Sequence, residues 1–266
     1  MEKIDAIILS STFKEELIYL EEFLDHCCEM STIINKKYVV KPLIVFEKSE
    51  SEKAKYLIEI FNTKCGLKPL ILINDEGRGF SSCLNYGIKN SVSKYIIRLD
   101  TDDRLLARRL VDQLNLMESK NLDISSGYMM NQNNKVLKYP KNNISLIIST
   151  MLGTNPIAHP SICINRKVLY LEYSENLTRA EDFELWLRLF LSRDLNWECI
   201  GEPITKYNDS NSFKKDKENA LFQIKIRIKY SLKYFFIIVI LIIGIFPNIL
   251  RIIFKKNILL AIRRLI

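Results

Sequence analysis

At 266 residues and 31.2 kDa, with 48% apolar and 26% charged residues, the chain has ordinary globular composition, which excludes a disordered or fibrous protein. Its net charge of +8 is lopsided: residues 214–266 hold twelve Lys/Arg against two Asp/Glu, so the first 213 residues carry a net −2. That split argues against a nucleic-acid groove in the main body and for an anionic surface met by the C-terminus.

In chain order, residues 4–10 form a short apolar run, followed by Leu17, Leu20 and Leu24 at helical spacing. The alternation repeats with a strand over Tyr38–Phe46 and a helix over Lys53–Thr63, then a strand over Leu70–Ile73 and a helix over Phe80–Val92. A strand over Tyr95–Leu99 and a helix from about Leu106 to Ser119 complete the regular part. Short apolar strands alternating with helices predict an α/β fold with a mostly parallel, Rossmann-like sheet flanked by helices. Ligands in such sheets bind beyond the carboxyl ends of the strands. After a segment over Asp123–Met130 the regularity weakens, Asn142-Asn143 offers a helix cap, and Pro156 and Pro160 bracket a loop before a strand over Ile162–Ile164. A helical stripe returns at Phe183, Leu187, Phe190 and Leu191.

Cys27, Cys28, Cys65, Cys83, Cys163 and Cys199 show no zinc-ligand spacing and read as reduced, mostly buried thiols. Met1-Glu-Lys-Ile-Asp enters an apolar strand without the order of a signal peptide, so the body is expected in the cytoplasm.

Three segments could carry chemistry. Asp100-Thr-Asp-Asp103 follows an apolar strand without a gap, which places carboxylates where a ligand binds. Clustered carboxylates repel, and a divalent cation shared with substrate phosphates relieves that repulsion. His159 stands between Pro156 and Pro160 in a loop pre-organised to touch a substrate, and Glu181-Asp182 opens an amphipathic helix that includes Trp186. Taken singly, each has a structural reading as well: a capped turn, a hydrogen-bonded loop histidine, a helix start.

Taken together, the segments Gly79-Phe-Ser-Ser-Cys-Leu-Asn85-Tyr-Gly87, Arg98-Leu-Asp-Thr-Asp-Asp103, Arg109, Gln113, Asn155-Pro-Ile-Ala-His-Pro-Ser161 and Glu181-Asp182-Phe-Glu-Leu-Trp-Leu-Arg188 resemble the family 2 glycosyltransferases over roughly residues 4–212. The similarity is to the bacterial capsular, O-antigen and exopolysaccharide type. It implies a GT-A fold and a catalytic domain spanning residues 1–213. The implied activity is inverting sugar transfer from a nucleoside-diphosphate donor to a glycan or lipid-linked acceptor, aided by Mn²⁺ or Mg²⁺. By the same resemblance Asp100 and Asp102 lie at the metal, Asp182 is the general base with Glu181 beside it, and Ser10, Glu47, Arg98 and Asp103 join the donor site. His159 and Trp186 fall on the acceptor side. The pattern departs from the family at Phe46-Glu47-Lys48-Ser49, where only Glu47 matches an acidic pair, at Gly77-Arg78-Gly79, and near Tyr207–Ser212, where an Arg and a His are missing. A nucleotidyltransferase and a catalytically dead membrane adaptor on the same fold stay open as alternatives.

Residues 214–266 read as a membrane-association tail. Seventeen uncharged residues separate Lys233 from Arg251, about 26 Å as a helix at ~1.5 Å per residue, short of a ~30 Å hydrocarbon core. Basic residues on both sides (Lys225, Arg227, Lys229 and Lys233; Arg251, Lys255, Lys256, Arg263 and Arg264) predict that both ends stay on the cytoplasmic side, so the tail dips in and returns or lies in the interface. A chain ending near Lys214 is therefore expected to be soluble without detergent.

Overall fold

The structure, a computed structural model, describes residues 4–12, 17–32, 37–64, 69–106, 108–169, 172–192, 195–208, 212–233 and 242–253. Four strands, β1 (Ile4–Thr12), β2 (Tyr38–Glu47), β3 (Leu70–Asn74) and β4 (Tyr95–Arg98), lie parallel in the order β3-β2-β1-β4. Helices α1 (Leu17–Thr32), α2 (Ser51–Lys64) and α3 (Phe80–Lys89) occupy the connections between them. Strands β1, β2 and β4 are largely buried on both faces, which is why they read as mostly apolar runs, while the edge strand β3 is half-buried. Ala6 and Ile8 of β1 join one core with Leu20, Phe23 and Leu24 of α1. Ile7 and Leu9 join the opposite core with Cys83 and Leu84 of α3. Helix α3 approaches closely because of Gly87, where an added Cβ would stand 2.6 Å from the Leu9 Cδ1.

Beyond β4 the sheet is mixed, which corrects the expectation of a mostly parallel one. The remaining strands are β5 (Arg104–Leu105), β6 (Ile124–Asn131), β7 (Val136–Leu137), β8 (Cys163–Asn165) and β9 (Trp197–Tyr207). Strand β8 runs antiparallel to both β4 and β6, β9 runs parallel to β6, and the full order is β3-β2-β1-β4-β8-β6-β9-β5, with β7 on β6. The physical reason is the connection: β8 follows a long excursion through α4 (Arg109–Ser119), β6 and α5 (Asn143–Met151), so the single helical crossover that enforces parallel pairing is absent. Strand β9 has no clean alternation, because Gly201 and Pro203 fall where its register with β6 shifts around Gly127 and Tyr128.

A buried polar brace ties these halves together at the carboxyl end of β4. Arg109, 1% exposed, donates from Nε to Gln113 (2.9 Å), from one terminal nitrogen to the Thr205 hydroxyl (2.8 Å), and from the other to the Arg98 carbonyl (2.9 Å). Gln113 in turn donates to the Ser161 carbonyl (2.9 Å), and Thr205 to the Pro160 carbonyl (3.2 Å). Arg109→Met would strand these acceptors in the interior. It is expected to cost ~3 kcal/mol in urea denaturation; a variant as stable as the parent would contradict the brace.

Helix α6 (Glu181–Ser192) contributes Leu185, Trp186 and Leu189 to the second core, which also holds residues of α3 and β1. Its other side meets α7 (Ser212–Lys233): Phe183 and Leu187 cluster with Ile226 and Tyr230. Helix α7 therefore packs on the body of the fold through α6. Arg227, counted in the sequence among the basic flank, is fully buried, whereas Lys225 and Lys229 are exposed. Among the described residues a further helix, α8 (Ile245–Ile253), packs on α7. Among the described residues no helix is long and apolar enough to cross a membrane. Residues 234–241 of the apolar stretch, the basic residues from Lys255 onward, and Cys65 lie outside the described residues. The other five cysteines are buried free thiols.

Candidate functional site

Strand β4 delivers Arg98 and the acidic turn to one end of the sheet. Asp103 N–H donates to the Asp100 carbonyl (3.1 Å), closing a turn that leaves the Asp100 side chain 31% exposed and Asp102 exposed. Beneath them the Arg98 guanidinium, 1% exposed, pairs with the Asp100 carboxylate and bonds to the Leu99 carbonyl. Arg98 is thus the buried counter-charge of Asp100 and offers a ligand almost no surface. Asp103 is buried too: one carboxylate oxygen accepts from the Asn208 N–H (2.9 Å), tethering the end of β9, and the other has no partner. Burial, followed by the neighbouring charge of Asp100, pushes its carboxyl well above the usual range. Ser10, also expected at the donor, is fully buried, its hydroxyl donating to the Leu99 carbonyl to hold β1 against β4.

The second acidic group begins α6. Ala180 turns the chain in the left-handed region (φ 56), an unfavourable conformation for a residue with a Cβ and of a kind that collects at functional sites. Glu181 and Asp182 follow, both partly exposed. Asp182 accepts from the Phe183 N–H (2.7 Å) at one oxygen and from the Asn155 side-chain amide at the other. Burial, opposed by those two hydrogen bonds, leaves the Asp182 carboxyl raised to about 6, and burial with the adjacent Asp182 raises Glu181 to about 7. The charge of Asp100 contributes to both shifts, so the two acidic groups share one electrostatic neighbourhood.

Aromatic rings fill the space between them. The Arg98 guanidinium lies 5.0 Å from the Phe80 ring, Phe80 stands edge-on to His159 at 6.1 Å, and His159 stands edge-on to Trp186 at 6.2 Å. His159 Nε2 and the Tyr173 hydroxyl are hydrogen-bonded at 2.8 Å. Tyr173 is fixed by Asn85, which accepts from its N–H (2.8 Å) and donates to its carbonyl (2.9 Å). Burial, then the Arg98 charge, drives His159 well below its usual value, which keeps it neutral. His159 is 7% exposed and Trp186 0%, so these expected acceptor contacts form the floor of the site rather than its surface. Phe80, 38% exposed, is the ring left open there. On the far side, Glu47 at the end of β2 accepts from the Gly79 N–H (2.7 Å), while Asn74 accepts from Glu76 (3.1 Å) and Gly77 (3.2 Å). This shapes the loop where the sequence departs from Asn-x-Gly.

A model of glycosyl transferase family 2 matches residues 8–174, well over half of the chain. The chain belongs to glycosyl transferase family 2. An uncharacterized glycosyltransferase of Methanocaldococcus jannaschii is 29% identical over 241 residues, spanning 87% of this chain and 78% of that one. The Escherichia coli UDP-Glc:alpha-D-GlcNAc-diphosphoundecaprenol beta-1,3-glucosyltransferase WfgD is 23% identical over 71% of this chain and 76% of its own. Among solved structures, a mannosyltransferase from Pyrobaculum calidifontis in complex with GDP-Man and Mn²⁺ superposes with a TM-score of 0.66 at 13% identity, covering 94% of this chain and 72% of that one. S. aureus TarS 1–349 in complex with UDP-GlcNAc gives 0.64 at 15% identity, over 86% and 66%. The transferase thus has a GT-A-like α/β fold, with relatives named for O-antigen and amylovoran biosynthesis.

Two residues of this glycosyltransferase stand out only in three dimensions. Asn155 was legible as part of a motif but not as the partner of Asp182, and the exposed Phe80 resembled any apolar residue at a helix start. A polar residue wedged before Pro156 was the available signal for Asn155.

Proposed function

We propose that the protein is an inverting, divalent-metal-dependent glycosyltransferase that moves a sugar from a nucleoside-diphosphate donor to a glycan or lipid-linked acceptor in cell-surface polysaccharide synthesis. The observation that carries this reading is the joining of two partly exposed acidic groups, Asp100/Asp102 and Glu181/Asp182, around one buried arginine and a neutral histidine. Among the described residues, no cluster of three His, Cys, Asp or Glu side chains could hold a metal unaided. A Mn²⁺ or Mg²⁺ ion would be held by Asp100 and Asp102, with substrate phosphates completing its shell. The orphaned Asp103 oxygen marks the same turn as a place where negative charge lacks compensation. When bound, the ion would neutralise charge developing on the departing nucleoside diphosphate.

The chain's own residues perform the rest. Arg98 holds Asp100 in place, and Glu47 shapes the loop beside the donor. Asp182, oriented by Asn155 and Phe183, takes the proton from the acceptor hydroxyl as it attacks the anomeric carbon from the face opposite the leaving group. Glu181, raised to about 7, sits beside it to hold acceptor hydroxyls. The experiment is product analysis with the true donor and acceptor: free nucleoside diphosphate and an inverted anomeric centre are expected, and retention would contradict single displacement.

Residues 214–266 are proposed to hold the enzyme on the anionic cytoplasmic face of the membrane, near a lipid-linked acceptor. The exposed Lys225 and Lys229 support this. Each cation near an anionic leaflet contributes ~1 kcal/mol, so Lys225→Gln with Lys229→Gln is expected to weaken binding to anionic vesicles ~30-fold. Unchanged vesicle sedimentation would remove these lysines from the anchor.

A further inference from the structure

Arg227 lies far along the chain from the acidic groups, on a helix the sequence assigns to a tail, yet it is fully buried. Its guanidinium lies 4.2 Å from the ring of Phe183, the residue whose N–H holds one oxygen of Asp182. One terminal nitrogen donates to the Thr150 carbonyl (3.2 Å) at the end of α5, and the other is held by the Gln223 side chain (3.1 Å) of its own helix. Thr150 begins the turn that leads to Asn155, whose amide holds the other oxygen of Asp182. That turn is also gripped by the start of α8: a Cβ on Gly153 (φ 72) would stand 2.7 Å from the Asn248 amide and 3.0 Å from the Gly244 carbonyl. Nearby, the Tyr230 hydroxyl donates to Glu184 (2.6 Å), one turn into α6. Both elements that orient Asp182 therefore meet at a single α7 side chain.

We propose that Arg227 is a positioning residue for sugar transfer, locking the Asn155 turn and the start of α6 together so that Asp182 is held at its working angle by groups from both. The C-terminal helices are then part of the catalytic unit. An arginine suits this task because its planar fork stacks on a ring while donating in its own plane, which an ammonium cannot do. This inference rests on Asp182 being the base.

The test uses the full chain and the true donor and acceptor. Arg227→Met keeps most of the buried volume and loses the fork; misplacement of a catalytic group by about an ångström is expected to lower kcat ~10- to 100-fold with donor KM within about twofold. Asn155→Ala is expected to lower kcat as well, and the double variant to be no slower than the slower single one, because both act through one carboxylate. Should Arg227→Met fail to fold, Arg227→Lys decides: a few-fold loss in kcat at constant donor KM supports positioning. An unchanged kcat in the folded variant, losses that multiply in the double variant, or a donor KM that rises as kcat falls would overturn it. Activity retained in Asp182→Asn would instead overturn the assignment of the base, independently of Arg227.

Discussion

Asp182→Asn is expected to lower kcat by ~10²- to 10⁴-fold while leaving donor binding intact. The substitution preserves size and an acceptor for the Phe183 N–H, removes the ability to take a proton, and puts an amide nitrogen where an oxygen accepted from Asn155. The same carboxyl sets the acid limb of the pH profile. Because burial raises Asp182 to about 6, the fraction of enzyme with a working base falls roughly tenfold per pH unit below that value. Stability runs the other way. A carboxyl raised in the fold favours the folded state while protonated, and that contribution is lost as pH rises from its ordinary value through about 6 for Asp182 and about 7 for Glu181. The Asn variant should therefore match or exceed the parent in Tm at pH 8. A variant both inactive and unstable there would show that the loss came from misfolding.

Asp102→Ala is the second large effect expected: loss of detectable transfer at any Mn²⁺ concentration that supports the parent, with an unchanged circular dichroism melt. Asp102 is exposed, and the turn that carries it is closed by the hydrogen bond from the Asp103 N–H to the Asp100 carbonyl, a backbone bond that does not pass through the Asp102 side chain. Asp103→Ala should behave oppositely. Its carboxyl anchors the Asn208 N–H at 2.9 Å, so this variant is expected to lose stability as well as rate.

These contrasts show what the residue pattern could reveal. The parallel strands β1 to β4 were legible because each is mostly apolar and separated from the next by a helical stripe or a short turn region, and the acidic turn was legible because it follows the last of them directly. Strand β9 was not, since Gly201 and Pro203 break its alternation where the pairing bulges. Among site residues, exposure was the hidden variable. Asp100, Asp102, Glu181 and Asp182 reach solvent, whereas Ser10, Arg98 and Trp186 were grouped with them by motif and are buried for hydrogen bonding, charge balance and packing. Helix α7 carried a mixed signal for a related reason. Lys225 and Lys229 are exposed as an interfacial helix requires, but Arg227 and Tyr230 point into the body, and a stripe of like charges does not reveal which member is buried.

Calorimetric titration of a nucleotide sugar into the full chain, with and without Mn²⁺, probes the central assignment most directly. Saturable binding that requires Mn²⁺ in the parent, persists in Asp182→Asn and disappears in Asp102→Ala is the predicted result. Metal-independent binding of equal strength in the parent and in Asp102→Ala would contradict it.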